Sequence, residues 1–122
     1  MANTFNVERR EEGKVIVLSL TGYLDAHTAP VFEKAIQDEV AAGRLELVAD
    51  CAQLSYISSA GLGVFMSFIE EIRGGGGDLK LAAIMPKVYQ VFEVLGFPAL
   101  FDIVDDVPAA LKNFADGVRP AS

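Results

Sequence analysis

The chain has 122 residues, enough for one compact domain around a single core. Hydrophobic residues make up 52% and charged residues 22%, a balance that excludes a disordered chain, and no uncharged run is long enough to span a bilayer. Ten lysines and arginines stand against 17 aspartates and glutamates; the formal net charge of −7 argues against a nucleic-acid footprint and in favour of a protein partner.

Residues 1–10 carry no apolar segment behind a basic stretch, so no secretory signal is read and a cytoplasmic protein without membrane insertion is expected. Residues 4–9 alternate polar and apolar, Glu11, Glu12 and Gly13 supply turn chemistry, and residues 14–20 resume with Val15, Ile16, Val17 and Leu18. This pattern predicts a β-hairpin that ends at Thr21 and Gly22. Polar residues around Asp25 and Thr28, with Pro30 inside the first turn, then signal a helix running to about Ala42. In it Phe32, Ala35, Ile36 and Val40 form the core face, Glu33, Lys34, Asp38 and Glu39 point elsewhere, and Gly43 suits a left-handed cap.

Residues 45–49 read as a short apolar strand and residues 50–57 as a connection. Cys51 has no second cysteine to pair with, and it is expected to pack as a small buried hydrophobe. With a single histidine there is no ligand cluster, so neither metal nor cofactor is expected. A second helix begins at Ser58 and Ser59 and stops near Arg73, before four consecutive glycines, with Leu62, Phe65, Met66, Ile69 and Ile72 on its apolar stripe. Residues 79–84 make another strand. Pro86 opens a third helix in which Val88, Val91, Phe92 and Leu95 share a face before Gly96. A final strand is read over residues 100–104, then a helix capped by Asp105 and Asp106 through about Phe114, and a frayed tail over residues 115–122. An opening hairpin followed by alternating strands and helices predicts an α/β fold: one domain, a mixed central sheet and about four helices.

The segment of greatest functional interest joins two adjacent serines to a helix with two glycines in its first turn. Each helical glycine costs roughly 1 kcal/mol relative to alanine, so Gly61 and Gly63 suggest a backbone left open to close approach by a partner. The plainer reading is that Ser58 or Ser59 is an N-cap and that the glycines let the helix pack on the sheet. Both readings stand on the residues alone.

Ser58-Ser59-Ala60-Gly61-Leu62-Gly63-Val64 resembles the phosphorylation motif of STAS-domain anti-sigma-factor antagonists. The segment from Gly22 through Asp25 to Ala29 is similar to that family's early Gly-x-Leu-Asp stretch, and residues 45–50 to its strand before the serine loop. Met85-Pro86-Lys87-Val88 and Val94-Leu95-Gly96-Phe97 resemble its third helix and exit, so the likeness runs in order along nearly the whole chain. It implies a domain that binds an anti-sigma-factor serine kinase, frees the sigma factor, is switched off by phosphorylation of Ser59 and is restored by a PP2C-type phosphatase. Asp25, Ser58, Ser59, Ala60, Gly61, Leu62 and Gly63 would form the partner-binding region. Asp25 reads equally as a loop or capping carboxylate. Where the family often carries Asp immediately before the phosphorylated serine, this chain has Ser58.

Other readings compete. A nucleophilic Ser59 needs a base, and the single histidine, His27, lies in a different loop, so no enzyme is expected. Gly74 to Gly77 follow a helix and precede a strand, the reverse of the order that aims amides at phosphate, and read as a turn. The alternative function is a STAS-domain interaction subunit of a stress-signalling assembly or lipid-transport system without sigma-factor control.

Overall fold

Four consecutive apolar residues, Val15 to Leu18, leave neither side of a strand fit for water, so both faces of the sheet must be covered. The computed structural model, which describes residues 5–118, meets that demand. Its elements in order are β1 (Asn6–Glu12), β2 (Val15–Leu24), α1 (Ala29–Ala41), β3 (Glu46–Ile57), α2 (Ser59–Gly74), β4 (Asp78–Ala82), α3 (Pro86–Val94), α4 (Phe97–Leu100), β5 (Ile103–Val104) and α5 (Val107–Ala115). The five strands form one mixed sheet in the order β1-β2-β3-β4-β5. The β1–β2 hairpin is antiparallel and the remaining pairs are parallel.

Ile16, Leu18, Leu20, Leu47 and Ala49 face a main core built with α1, α2, α3 and α4. On the opposite side Val15, Val17, Val48 and Ala82 meet Val107, Ala110 and Phe114 of α5. Phe65 sits at the centre of the main core, with the rings of Phe32, Phe92, Phe97 and Phe101 at centroid distances of 5.0, 5.7, 6.3 and 6.2 Å. Truncating so central a ring removes about 3–5 kcal/mol.

Several sequence expectations change. Residues 50–57 are no connection: β3 runs on to Ile57, and two register shifts against β2 place bulges there. The bulges turn Cys51, Leu54 and Ile57 inward at every third residue, which hides the strand's alternation. β2 likewise passes Thr21 and Gly22 and ends at Leu24. The final strand shortens to two residues because Phe97–Leu100 forms a helical turn, which brings the rings of Phe97 and Phe101 into a stack at 4.9 Å. Met66 and Leu95 lie on the surface, 45% and 54% exposed, instead of on the apolar stripes of their helices.

Glu39, expected to point away from the core, is buried between Arg9 and Arg44, each with its Nε 2.6 Å from a carboxylate oxygen. Those two ion pairs tie α1 to β1 and to its own exit. Two of the four glycines in the turn are closely packed on Leu45: a Cβ on Gly75 would run into its side chain and one on Gly77 into its carbonyl, while Gly76 has φ +93. At the chain's end Ala115 is still helical, and Val118 donates its N–H to the Asn113 carbonyl at 2.9 Å while its own carbonyl accepts from Lys80 Nζ at 2.8 Å. The segment expected to fray is therefore bonded as far as Val118. Residues 119–122, and Thr4 of the first strand, lie outside the described residues.

Candidate functional site

β2 and β3 run parallel side by side, and their ends deliver Leu24 and Ile57 to the same edge of the sheet, paired in register. The chain then enters α2 through Ser58, whose N–H donates to the Leu24 carbonyl at 2.9 Å. Ser58 has extended dihedrals, φ −102 and ψ 175, and its carbonyl accepts the first helical bond, from Leu62 N–H at 3.0 Å. It is the N-cap by position. Its side chain makes no capping hydrogen bond, and its Oγ is buried without a partner among the described residues.

Ser59, the first residue of α2, is exposed. The two serines thus divide: one has its oxygen buried in the protein, the other is an exposed residue at the mouth of the helix. The opening amides of a helix have no intrahelical acceptor and carry the positive end of its dipole, so an anion on Ser59 would sit in a favourable field. The capping role considered for either serine side chain is not the one observed.

The two glycines divide as well. Gly61 is buried, and a Cβ there would lie 2.8 Å from Leu24 Cγ and 2.9 Å from both Ile57 Cγ1 and the Leu24 carbonyl oxygen. Its bareness serves packing of the helix against the strand ends, which corrects the expectation that it is open to a partner. Gly63 is exposed with nothing within 4 Å of a Cβ. Ala60 is exposed too, whereas Leu62 is 97% buried and lines a neighbouring groove.

That groove, about 400 Å³, runs between α2 and α3 and is lined by Ser59, Leu62, Lys87, Val91, Val94 and Leu95, with Gln90 at its side. Val94 and Leu95 are among the most exposed large apolar side chains of the molecule. The sequence reading missed this surface because the helical pattern of α3 placed Leu95 on the core face.

Asp25 follows Leu24 directly, and its Oδ1 accepts N–H groups from His27 at 2.9 Å and Thr28 at 3.2 Å. Thr28 returns the contact: its Oγ1 accepts the Asp25 N–H at 2.9 Å and donates to the Tyr23 carbonyl at 2.8 Å. Asp25 therefore organises the turn into α1, at the same end of the sheet as Ser59. Tyr23 and Tyr56, neighbours across β2 and β3, extend this end with an exposed ring pair 5.3 Å apart. Cys51 lies under the sheet, where burial and then the charge of Asp50 push its thiol far above the usual range, so it is no nucleophile. Among the described residues no helix is long and apolar enough to cross a membrane.

Comparison with known proteins places this geometry. The family model described as STAS domain matches residues 6–110. BtrV of Bordetella bronchiseptica is 32% identical over 100 residues, covering 82% of this chain and 86% of BtrV. The anti-sigma-B factor antagonist of Bacillus subtilis is 28% identical over 98 residues, covering 80% and 89%. Among solved structures, an anti-sigma factor antagonist from Mycobacterium paratuberculosis superposes with a TM-score of 0.86 at 25% identity, covering 93% of this chain and 96% of that one.

Proposed function

This chain belongs to the STAS-domain family of anti-sigma-factor antagonists, and from that premise we propose that it is a partner switch controlled by phosphate on Ser59. Unmodified, it binds an anti-sigma-factor serine kinase and so releases the sigma factor that the kinase holds. The kinase transfers the γ-phosphoryl group of ATP to Ser59 Oγ, the hydroxyl proton passes to a base of the kinase, and ADP leaves. The modified protein lets go, and a PP2C-type phosphatase hydrolyses the ester to restore binding. These partners act in the cytoplasm, which is where the protein is proposed to work.

The observation that carries this reading is the exposure of Ser59 at the first position of α2, where it lines the apolar groove with Leu62 and Val91, on a helix whose Gly63 leaves open backbone. A partner surface fitted over that groove meets a neutral hydroxyl. Phosphorylation replaces it by a group of charge about −1.5 to −2 with three acceptor oxygens. Burying such a charge without a counter-ion costs several kcal/mol, and each 1.4 kcal/mol is about tenfold in affinity. No refolding is needed for the switch, because the α2 amides accommodate the anion in the free protein.

Asp25, Ser58, Ala60 and Gly63 are proposed to frame the contact around Ser59, with Leu62 lining the apolar groove and Gly61 holding the helix at its seat. The residues 1–122 are proposed to act as one STAS domain. Incubation with an anti-sigma-factor kinase and ATP followed by peptide mass spectrometry tests the reading. Phosphate on Ser59 in the native protein, and none in Ser59→Ala, is the expected result; phosphate on another residue, or none, overturns it. A subunit without sigma-factor control would carry no phosphate at Ser59.

A further inference from the structure

Lys87 is a cation placed where its own helix does nothing for it. It is the second residue of α3, at the positive end of the helix dipole, and Gln90 and Val91 stand three and four residues on, where an acidic partner would sit. Of the nine lysines and arginines among the described residues, seven hold a carboxylate within 3.1 Å; Lys14 and Lys87 are the two that do not. In a chain of net charge −7, an unpaired cation beside an apolar groove stands out. Lys87 lines the same groove as Ser59 and is the single charged side chain among the groove's lining residues.

We propose that Lys87 is the built-in counter-charge for a phosphate on Ser59, closing across the α2–α3 groove when Ser59 is modified and standing free when it is not. This inference rests on the reading of Ser59 as the phosphorylated residue. With the ammonium drawn to the phosphate, the four-carbon stem of Lys87 lies along the groove and covers part of the apolar surface at Val91. Modification then acts twice: it adds charge at the helix mouth, and it removes apolar surface from a partner's reach. Asp25 carries the opposite charge at this end of the sheet, with its Oδ1 already engaged by the amides of His27 and Thr28. Lys87 is thus a positioning residue for the off state.

The test uses the full chain with phosphoserine installed at position 59 during translation, so that it depends on no kinase. Phosphorus NMR follows the second ionisation of the phosphate in the otherwise native protein and in the Lys87→Gln and Lys87→Arg variants. A nearby cation favours the dianion, so the pKa of the native protein is expected to lie about 0.5 unit below that of Lys87→Gln. Lys87→Arg keeps the lowered value, and about 1 M salt removes most of the difference. Superimposable titrations for native and Lys87→Gln proteins overturn the proposal. A kinase that ignores Ser59 would instead refute the reading of the preceding subsection and leave this titration intact.

Discussion

Gly61 and Leu24 are in backbone-to-side-chain contact so close that a methyl group on Gly61 would fall 2.8 Å from Leu24 Cγ and 2.9 Å from the Leu24 carbonyl oxygen. The first turn of α2 is pressed onto the end of β2, and the Ser58 N–H to Leu24 carbonyl bond locks the same junction. Substitution must therefore act differently at the two glycines. Gly61→Leu is expected to cost about 3 kcal/mol or more through overpacking against backbone that cannot yield. Gly63→Ala, with open space around it, is expected to gain about 0.5–1 kcal/mol from helix propensity. Urea unfolding of both variants checks this, and equal stabilities would contradict the contact. Gly63→Leu should stay folded and bind the partner more weakly.

Ser58 gives a second expectation. Its Oγ is buried without a partner, a state that costs about 1–3 kcal/mol for a hydroxyl, so Ser58→Ala is expected to be neutral or stabilising. Ser58→Asp places a carboxylate at the N-cap, able to accept an α2 amide, and is expected to add about 0.5–1 kcal/mol. A loss of more than about 1 kcal/mol in the alanine variant, measured by thermal unfolding, would contradict the burial of that oxygen.

Acid should find Glu39. Burial works to raise its carboxyl, but hydrogen bonds from Arg9 and Arg44 outweigh burial, so the group titrates below its ordinary value of 4.5. A carboxylate with a depressed folded-state pKa contributes stability that is present above its unfolded pKa and lost as pH falls through the folded one. Glu39→Gln is expected to cost about 1–3 kcal/mol at pH 7, with the deficit narrowing below about pH 4.5. Urea midpoints measured from pH 7 to pH 3 check this; a constant difference would contradict it.

Behind the sheet, Lys80 is fully buried, with its ammonium 3.1 Å from both Asp78 and Asp102 and over the Phe114 ring at 4.7 Å. It also donates to the Val118 carbonyl, so one cation joins β4, the start of β5 and the end of the described chain. Lys80→Met leaves two carboxylates short of a cation, although Asp78 keeps Arg73 at 2.9 Å and Asp102 keeps Asn113 at 2.8 Å. The expected cost is about 3 kcal/mol. Faster amide exchange at Val118 would accompany it if the lysine is what holds that end.

How much of this was legible in the sequence depends on whether a feature is local. The starts of α1, α3 and α5 were, because Pro30, Pro86 and Pro108 each stand in a first turn and Asp106 accepts the Ala109 N–H as a cap; the short α4 was not, although Pro98 stands in its first turn as well. The second half of β3 was not, since its inward residues are spaced by three through pairing with β2, which one strand's own pattern does not reveal. Glu39 was in part legible: it lies three residues after Ile36 and seven after Phe32, on the buried side of α1, but the two arginines that make its burial tolerable come from β1 and from the exit of α1.

Ser59 was found by resemblance, and its exposure came from the fold. Gly61 and Gly63 could have been separated earlier, because two residues apart on a helix is about 200° around its axis, so they cannot share a face. What no sequence pattern held was the groove, which exists only because α2 and α3 lie side by side, with Ser59 of the one and Lys87 of the other among its lining residues.

The proposed switch breaks, by charge on Ser59, a contact that the neutral hydroxyl permits. Its most direct measurement is the affinity of the anti-sigma-factor kinase for the full chain, unmodified and with phosphoserine at position 59, in the same buffer. A loss of about 100-fold or more on modification is expected, with Ser59→Ala binding like the unmodified protein. Equal affinity of the unmodified and fully phosphorylated proteins would contradict the account.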